Sequence, residues 1–191
     1  MDTAPANVCH TPWVGERYQD GINGRSVMIV GNSHWLGDNE ADSEGVTLSV
    51  VGKVVEGAYK IAFFDHVRNY FGFAGHAAFW SRVIFLNYAP WAVGTGDRRY
   101  DHLTWEMAEA GKARFKSMIA DRKPDIAFVF SRKIQWALPE MEFMDVSLPL
   151  RGARVGFLKE VPNTRIVILR HPQGAPKRQM IEALDASLAM P

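Results

Sequence analysis

Four short apolar runs, each followed by residues suited to chemistry rather than packing, constrain this chain more than any other feature. They are residues 26–30 (Ser-Val-Met-Ile-Val), 83–88 (Val-Ile-Phe-Leu-Asn-Tyr), 125–130 (Asp-Ile-Ala-Phe-Val-Phe) and 165–169 (Arg-Ile-Val-Ile-Leu). Near-continuous apolar stretches of this length fit strands that are covered on both faces. Between the first two runs, Val50, Val54, Ala58, Ile61 and Asp65 recur at three- or four-residue spacing, which predicts helix over about 46–71, interrupted near Gly57. After the second run and a polar turn region at 94–99, Thr104 offers a helix cap. Ala108, Gly111, Phe115, Met118 and Ile119 then share a face, and Pro124 is the stop. Residues 177–190 have the composition of a closing helix. Strand, helix, strand, helix, strand, an irregular crossing and a fourth strand is the order of an α/β fold. A three-layer α/β/α sandwich around a mainly parallel four-stranded sheet is therefore expected.

The chain has 191 residues, which fits one domain over 26–191. An irregular arm over 1–25, marked by Pro5, Pro12, Gly15, Gly21 and Gly24 and anchored by Trp13 and Tyr18, precedes it. Twenty-two basic residues against 21 acidic ones leave a net charge of +1, so any contact with nucleic acid must be local. The single cysteine, Cys9, can form no intramolecular disulfide and no four-thiolate cluster, which points to a reducing compartment. No apolar run is long enough to span a membrane, and the N-terminus lacks the order of a secretory signal, so a cytoplasmic protein is expected. His10, His66, His76 and His102 show no spacing that closes a ligand set; no metal and no organic cofactor is implied. Oligomeric state is not encoded legibly, although the apolar-aromatic cluster at 71–80 would make an interface if exposed.

Open parallel α/β sheets bind ligands beyond the carboxyl ends of their strands. At those positions the chain reads Gly31-Asn32-Ser33-His34-Trp35, Asn87-Tyr88-Ala89-Pro90-Trp91, Ser131-Arg132-Lys133 and Arg170-His171-Pro172-Gln173. Polar, ionisable and aromatic residues thus collect along one predicted edge.

The first of these loops, the Phe85-Leu86-Asn87 strand end and His171-Pro172-Gln173 together resemble, over roughly residues 26–185, the uracil-DNA glycosylase superfamily at a divergent level. That family has a first-strand loop opening on Gly, a middle strand ending in Leu-Leu-Asn and a last strand ending in His-Pro-Ser. The resemblance implies a hydrolase of N-glycosidic bonds active in DNA repair, with a nucleobase pocket for uracil or another damaged base. Its partners would be DNA or a free nucleobase or nucleotide. It implies that Asn87 reads the base edge through an amide that donates and accepts at once. His171 would donate to the base O2 as negative charge develops there. Trp35 would wall the pocket, and Asn32 or Ser33 would hold a water against the sugar carbon. Strongly active members place Asp or Glu in the first loop, where this chain has Asn32, which orients water without supplying charge. His34 stands in place of the usual Pro, and Gln173 in place of Ser. Cluster-bearing subgroups are excluded by the lone cysteine.

A DNA enzyme also needs a grip on phosphates. Arg98, Arg99, Arg132, Lys133, Arg170, Lys177 and Arg178 all fall in or just after strand-end segments. After His171, Met180 is the first large apolar side chain at a distance suited to filling the gap left by a flipped base.

Two other readings use the same residues. Gly31-Asn32-Ser33 resembles the Gly-Asp-Ser start of SGNH-type serine esterases, with Ser33 as nucleophile and His171 as base. That family's Asp three residues before its His is Ile168 here, its Gly-x-Asn-Asp element is missing, and Trp35 breaks a Gly-x-Ser-x-Gly elbow. The remaining reading is a catalytically degenerate module that keeps the pocket to hold a base, nucleotide or nucleic acid.

Overall fold

A strand whose every side chain is apolar must be covered on both sides. The computed structural model describes residues 8–37, 40–94 and 102–190, and in it the apolar runs become the centre of one sheet. Its strands are β1 (Trp13–Val14), β2 (Val27–Gly31), β3 (Val83–Asn87), β4 (Ile126–Val129), β5 (Glu142–Phe143), β6 (Arg154–Leu158) and β7 (Val161–Ile168), in the order β1-β3-β2-β4-β7-β6-β5. The neighbours β3, β2, β4 and β7 are mutually parallel, whereas β1, β6 and β5 pair antiparallel at the flanks.

Among the described residues five α-helices cover this sheet: α1 (Val46–Val55), α2 (Ala62–Tyr70), α3 (His76–Trp80), α4 (Trp105–Arg122) and α5 (Lys177–Ala189). Because side chains alternate across a strand, each strand feeds two cores. On one face Val27, Ile29, Phe85 and Phe128 pack against Val54 of α1, Phe64 of α2, Phe79 of α3 and Leu184 of α5. On the other, Met28, Val30, Leu86 and Ile168 pack against Ala108, Phe115 and Ile119 of α4. Each fully buried Val, Leu, Ile, Phe or Met among them contributes about 1.5–3 kcal/mol of hydrophobic stabilisation.

The sheet has seven strands where the sequence predicts four. The four predicted strands form its parallel centre; the three added ones are short or irregular. β1 and β5 have two residues each, too few for any periodicity, and β6 is bulged between Gly156 and Leu158. The β6–β7 hairpin occupies the crossing that reads as irregular, and β7 begins at Val161 rather than 165. The helical stretch at 46–71 does break at Gly57, whose φ of 78° suits glycine alone, giving α1 and α2.

Residues 71–80 are not a surface patch. Phe79 and Trp80 are fully buried, with Phe71 and Phe73 packed against them. In the arm, the Trp13 indole donates to the Trp80 carbonyl at 2.8 Å and Tyr18 is buried, while Trp13 and Val14 join the sheet. Among the described residues, no helix is long and apolar enough to cross a membrane.

Candidate functional site

Parallel strands end together, so the loops after β2, β3, β4 and β7 meet on one side of the sheet. There they bound a cleft of about 1520 Å³. Asn32, Ser33, Trp35, Asn87, Arg132, Lys133, Arg170 and His171 all line it. Residues from four loops far apart in sequence thus meet because the parallel register stacks their strand ends.

Asn87 is the last residue of β3 and pairs across the ladder with Gly31. A Cβ at position 31 would lie 2.1 Å from Asn87 Oδ1, so glycine there is what makes room for the amide. Asn87 is largely buried, and its backbone carbonyl accepts from Arg114 Nη1 at 2.8 Å. Arg114 also donates to the His10 carbonyl, so one half-buried guanidinium of α4 clasps the strand end to the arm. The Asn87 side-chain amide makes no hydrogen bond with the described residues and remains free for a ligand.

The first loop is tied to the second by Tyr88 N–H donating to Gly31 O at 3.0 Å and Ala89 N–H to Asn32 O at 2.9 Å. Asn32 Nδ2 donates to Ser33 Oγ at 3.3 Å, while Asn32 Oδ1 is buried without a partner among the described residues. An acceptor left in that state costs about 1–3 kcal/mol, which a water or ligand donor would recover. His34 turns away from this chemistry. Its Nε2 meets Thr47 Oγ1 at 3.0 Å, its ring stands edge-on to His10, and burial first, then the nearby His10, lowers its pKa to about 3. His10 is itself held by Asp42 at 2.5 Å.

His171 begins a 3-10 turn (Pro172–Gly174), and its Nδ1 accepts from Gln173 N–H at 3.4 Å. An accepting Nδ1 puts the proton of the neutral ring on Nε2. The ring packs against Phe63, with centroids 5.8 Å apart. Partial burial, then the positive charge of Lys133 and the neighbouring His66, lower its pKa and favour the neutral form. Tyr70 fixes the turn by donating to Pro172 O at 2.9 Å.

Charge in the cleft is one-sided. Lys53, Arg132, Lys133 and Arg170 line it, against Glu40 as the single carboxylate among the described lining residues. Glu40 accepts from Gly37 N–H at 2.9 Å. Arg132, Lys133 and Arg170 form no ion pair among the described residues. Trp35 is 53% exposed at the cleft edge, and Phe63 stands between Phe85 and His171 as an aromatic wall.

Other predicted contacts lie elsewhere. Lys177 and Arg178 flank a separate shallow depression on α5 with Ile181 and Glu182, and Arg178 pairs with Glu182 at 2.7 Å. Met180 is fully buried in the core, which corrects its reading as a wedge. Arg98 and Arg99 lie outside the described residues. Among the described residues, no group of three or more His, Cys, Asp or Glu side chains is placed to hold a metal ion.

Sequence reasoning missed Phe63, Arg114, Glu40 and Lys53. Phe63 sits beside the predicted helical stripe, and Arg114 beside the Gly111–Phe115 face of α4, so each reads as flanking packing or solvated surface. Comparison of the chain with models of known protein families and with curated protein sequences gave no match, so function is argued from the site itself.

Proposed function

We propose that the cleft binds a nucleobase and hydrolyses its N-glycosidic bond, on a three-layer α/β/α fold similar to that of the uracil-DNA glycosylases. The supporting observation is the convergence of Asn32, Asn87 and His171 on one cation-lined cleft, with His171 Nδ1 already engaged. In this reading the Asn87 amide pairs with the base edge and Phe63 walls the ring. Asn32 Oδ1 accepts a hydrogen bond from the water that adds to the sugar carbon. The carbon–nitrogen bond breaks toward the base, and His171 Nε2–H stabilises the developing oxyanion. The water proton ends on the departing base. With no carboxylate at position 32, a modest rate is expected.

The same tautomer argues against an esterase. A general base must offer Ser33 an unprotonated nitrogen, yet the neutral ring here carries its proton on Nε2. Among the described residues no carboxylate bonds to His171 to reverse that.

The test is incubation with single- and double-stranded oligonucleotides containing uracil or other deaminated bases, followed by detection of abasic sites. Release should fall about 100-fold or more in Asn87→Ala and His171→Ala. Release that survives both substitutions overturns the assignment. Binding without release, dependent on the same two residues, identifies the degenerate module instead. Turnover of short acyl esters, lost in Ser33→Ala, would establish the esterase.

A further inference from the structure

The two most exposed large apolar side chains among the described residues are Trp105 and Trp136, at 70% and 55%. Their rings lie 6.2 Å apart and within 20° of parallel. They come from different elements, the first residue of α4 and the 3-10 turn Arg132–Ala137 that follows β4, so tertiary structure rather than local sequence pairs them. We propose that Trp105 and Trp136 form a stacking platform for an unpaired nucleotide adjoining the one in the cleft, with Arg132 and Lys133 neutralising the intervening phosphate. This rests on the nucleobase reading of the cleft.

The 3-10 turn supplies the geometry. Residues three apart in such a helix eclipse each other, and three steps of about 2.0 Å place Lys133 and Trp136 roughly 6 Å apart on one side. Lys133 lines the cleft and sits close enough to His171 for its charge to be felt there. Gln135, beside Trp136 in sequence, lines the cleft as well. The path therefore runs from His171 past the Lys133 ammonium to an exposed indole.

The other side of the turn is fixed. Ile134 and Ala137 are buried, and the Tyr88 hydroxyl donates to the Ala137 carbonyl. Arg132 is seated against Gly152, where a Cβ would lie 2.7 Å from its Nη1. A rigid mount for solvent-facing indoles has a cost if nothing covers them, and cations alongside, with no ion pair among the described residues, select an anionic occupant. Alternating anion and planar ring is the repeat of a single-stranded nucleic acid, and aromatic stacking with cationic contacts is how such strands are held.

Binding of a fluorescent single-stranded oligodeoxynucleotide of about ten nucleotides and binding of deoxyuridine monophosphate are measured on the full chain. Trp105→Ala and Trp136→Ala are each expected to weaken strand binding roughly ten-fold while leaving mononucleotide binding unchanged. Trp136→Phe should restore most of the strand affinity, which loss of fold would not allow. Unaltered strand affinity in both Ala variants overturns the platform while the cleft reading stands, and is also the result expected if the indoles dock a protein. Binding of neither probe by the wild type overturns the cleft reading and the platform with it.

Discussion

His34 is held in its neutral form by its surroundings. Burial, reinforced by His10 and Arg114 and only partly offset by Asp42, brings its pKa from 6.5 to about 3. The unfolded chain takes up this proton as pH falls through 6.5, the folded chain only near 3. Between those values the unfolded state binds more protons, so stability declines as pH falls through that window and is unaffected above it. The full difference is on the order of 4–5 kcal/mol. Urea midpoints measured across the window should therefore drop in the wild type. His34→Gln, which keeps a polar contact to Thr47 without titrating, should flatten the decline; parallel curves would refute the assignment.

At the scale of elements, the contact between α4 and the end of β3 decides how well the cleft is built. A Cβ on Gly111 would lie 2.6 Å from the Tyr88 carbonyl oxygen and 2.9 Å from its ring. Alanine in a helix interior ordinarily gains about 1 kcal/mol over glycine. Here it meets backbone, and overpacking of about 1–3 kcal/mol outweighs that gain. Gly111→Ala should lower the melting temperature and also weaken base binding, because Arg114, one turn on, holds the Asn87 carbonyl. A higher melting temperature would show that the helix yields.

That contact also shows what was legible in sequence. The Thr104 cap, whose Oγ1 accepts from Met107 N–H at 3.2 Å, and the buried face of Ala108, Gly111, Phe115 and Ile119 were readable because both are local patterns. The four central strands were readable because each is one uninterrupted apolar run. β1 and β5 were not, since two residues have no period and only their partners make them strands. That Asn87 and His171 would lie at one edge of the sheet was readable because strand ends are marked in sequence. The placement of Arg114 and Phe63 was not, because their reach toward the cleft depends on how α4 and α2 lie across the sheet.

For the whole molecule, a net charge of +1 conceals a cleft whose described lining residues include four cations and one carboxylate. Acidic residues elsewhere provide the balance, so the field that matters is local. Each phosphate neutralised on a single strand contributes about −0.7 to the slope of log affinity against log salt. Engagement of Arg132, Lys133 and Arg170 therefore predicts a slope near −2, as an order of magnitude. Arg132→Ala should flatten it by about 0.7, whereas Arg178→Ala, on α5 and already paired, should leave it unchanged. Titrations of strand binding at several salt concentrations decide this, and equal slopes in all three proteins would remove the cleft from the interface.

β1 lies along the outer side of β3, and the chain leaves it through Gly15, so close to Ser81 that a Cβ would come within 2.2 Å of its carbonyl oxygen. At the opposite flank the ladder ends in β5, again only two residues long. A sheet finished in this way offers neighbouring copies little backbone to pair with on either side. Without its opening residues the chain would present the bare side of β3, apolar from Val83 to Leu86, as an edge open to pairing. The stretch that reads as a loose preface to the domain thus covers an edge that would otherwise be open to pairing.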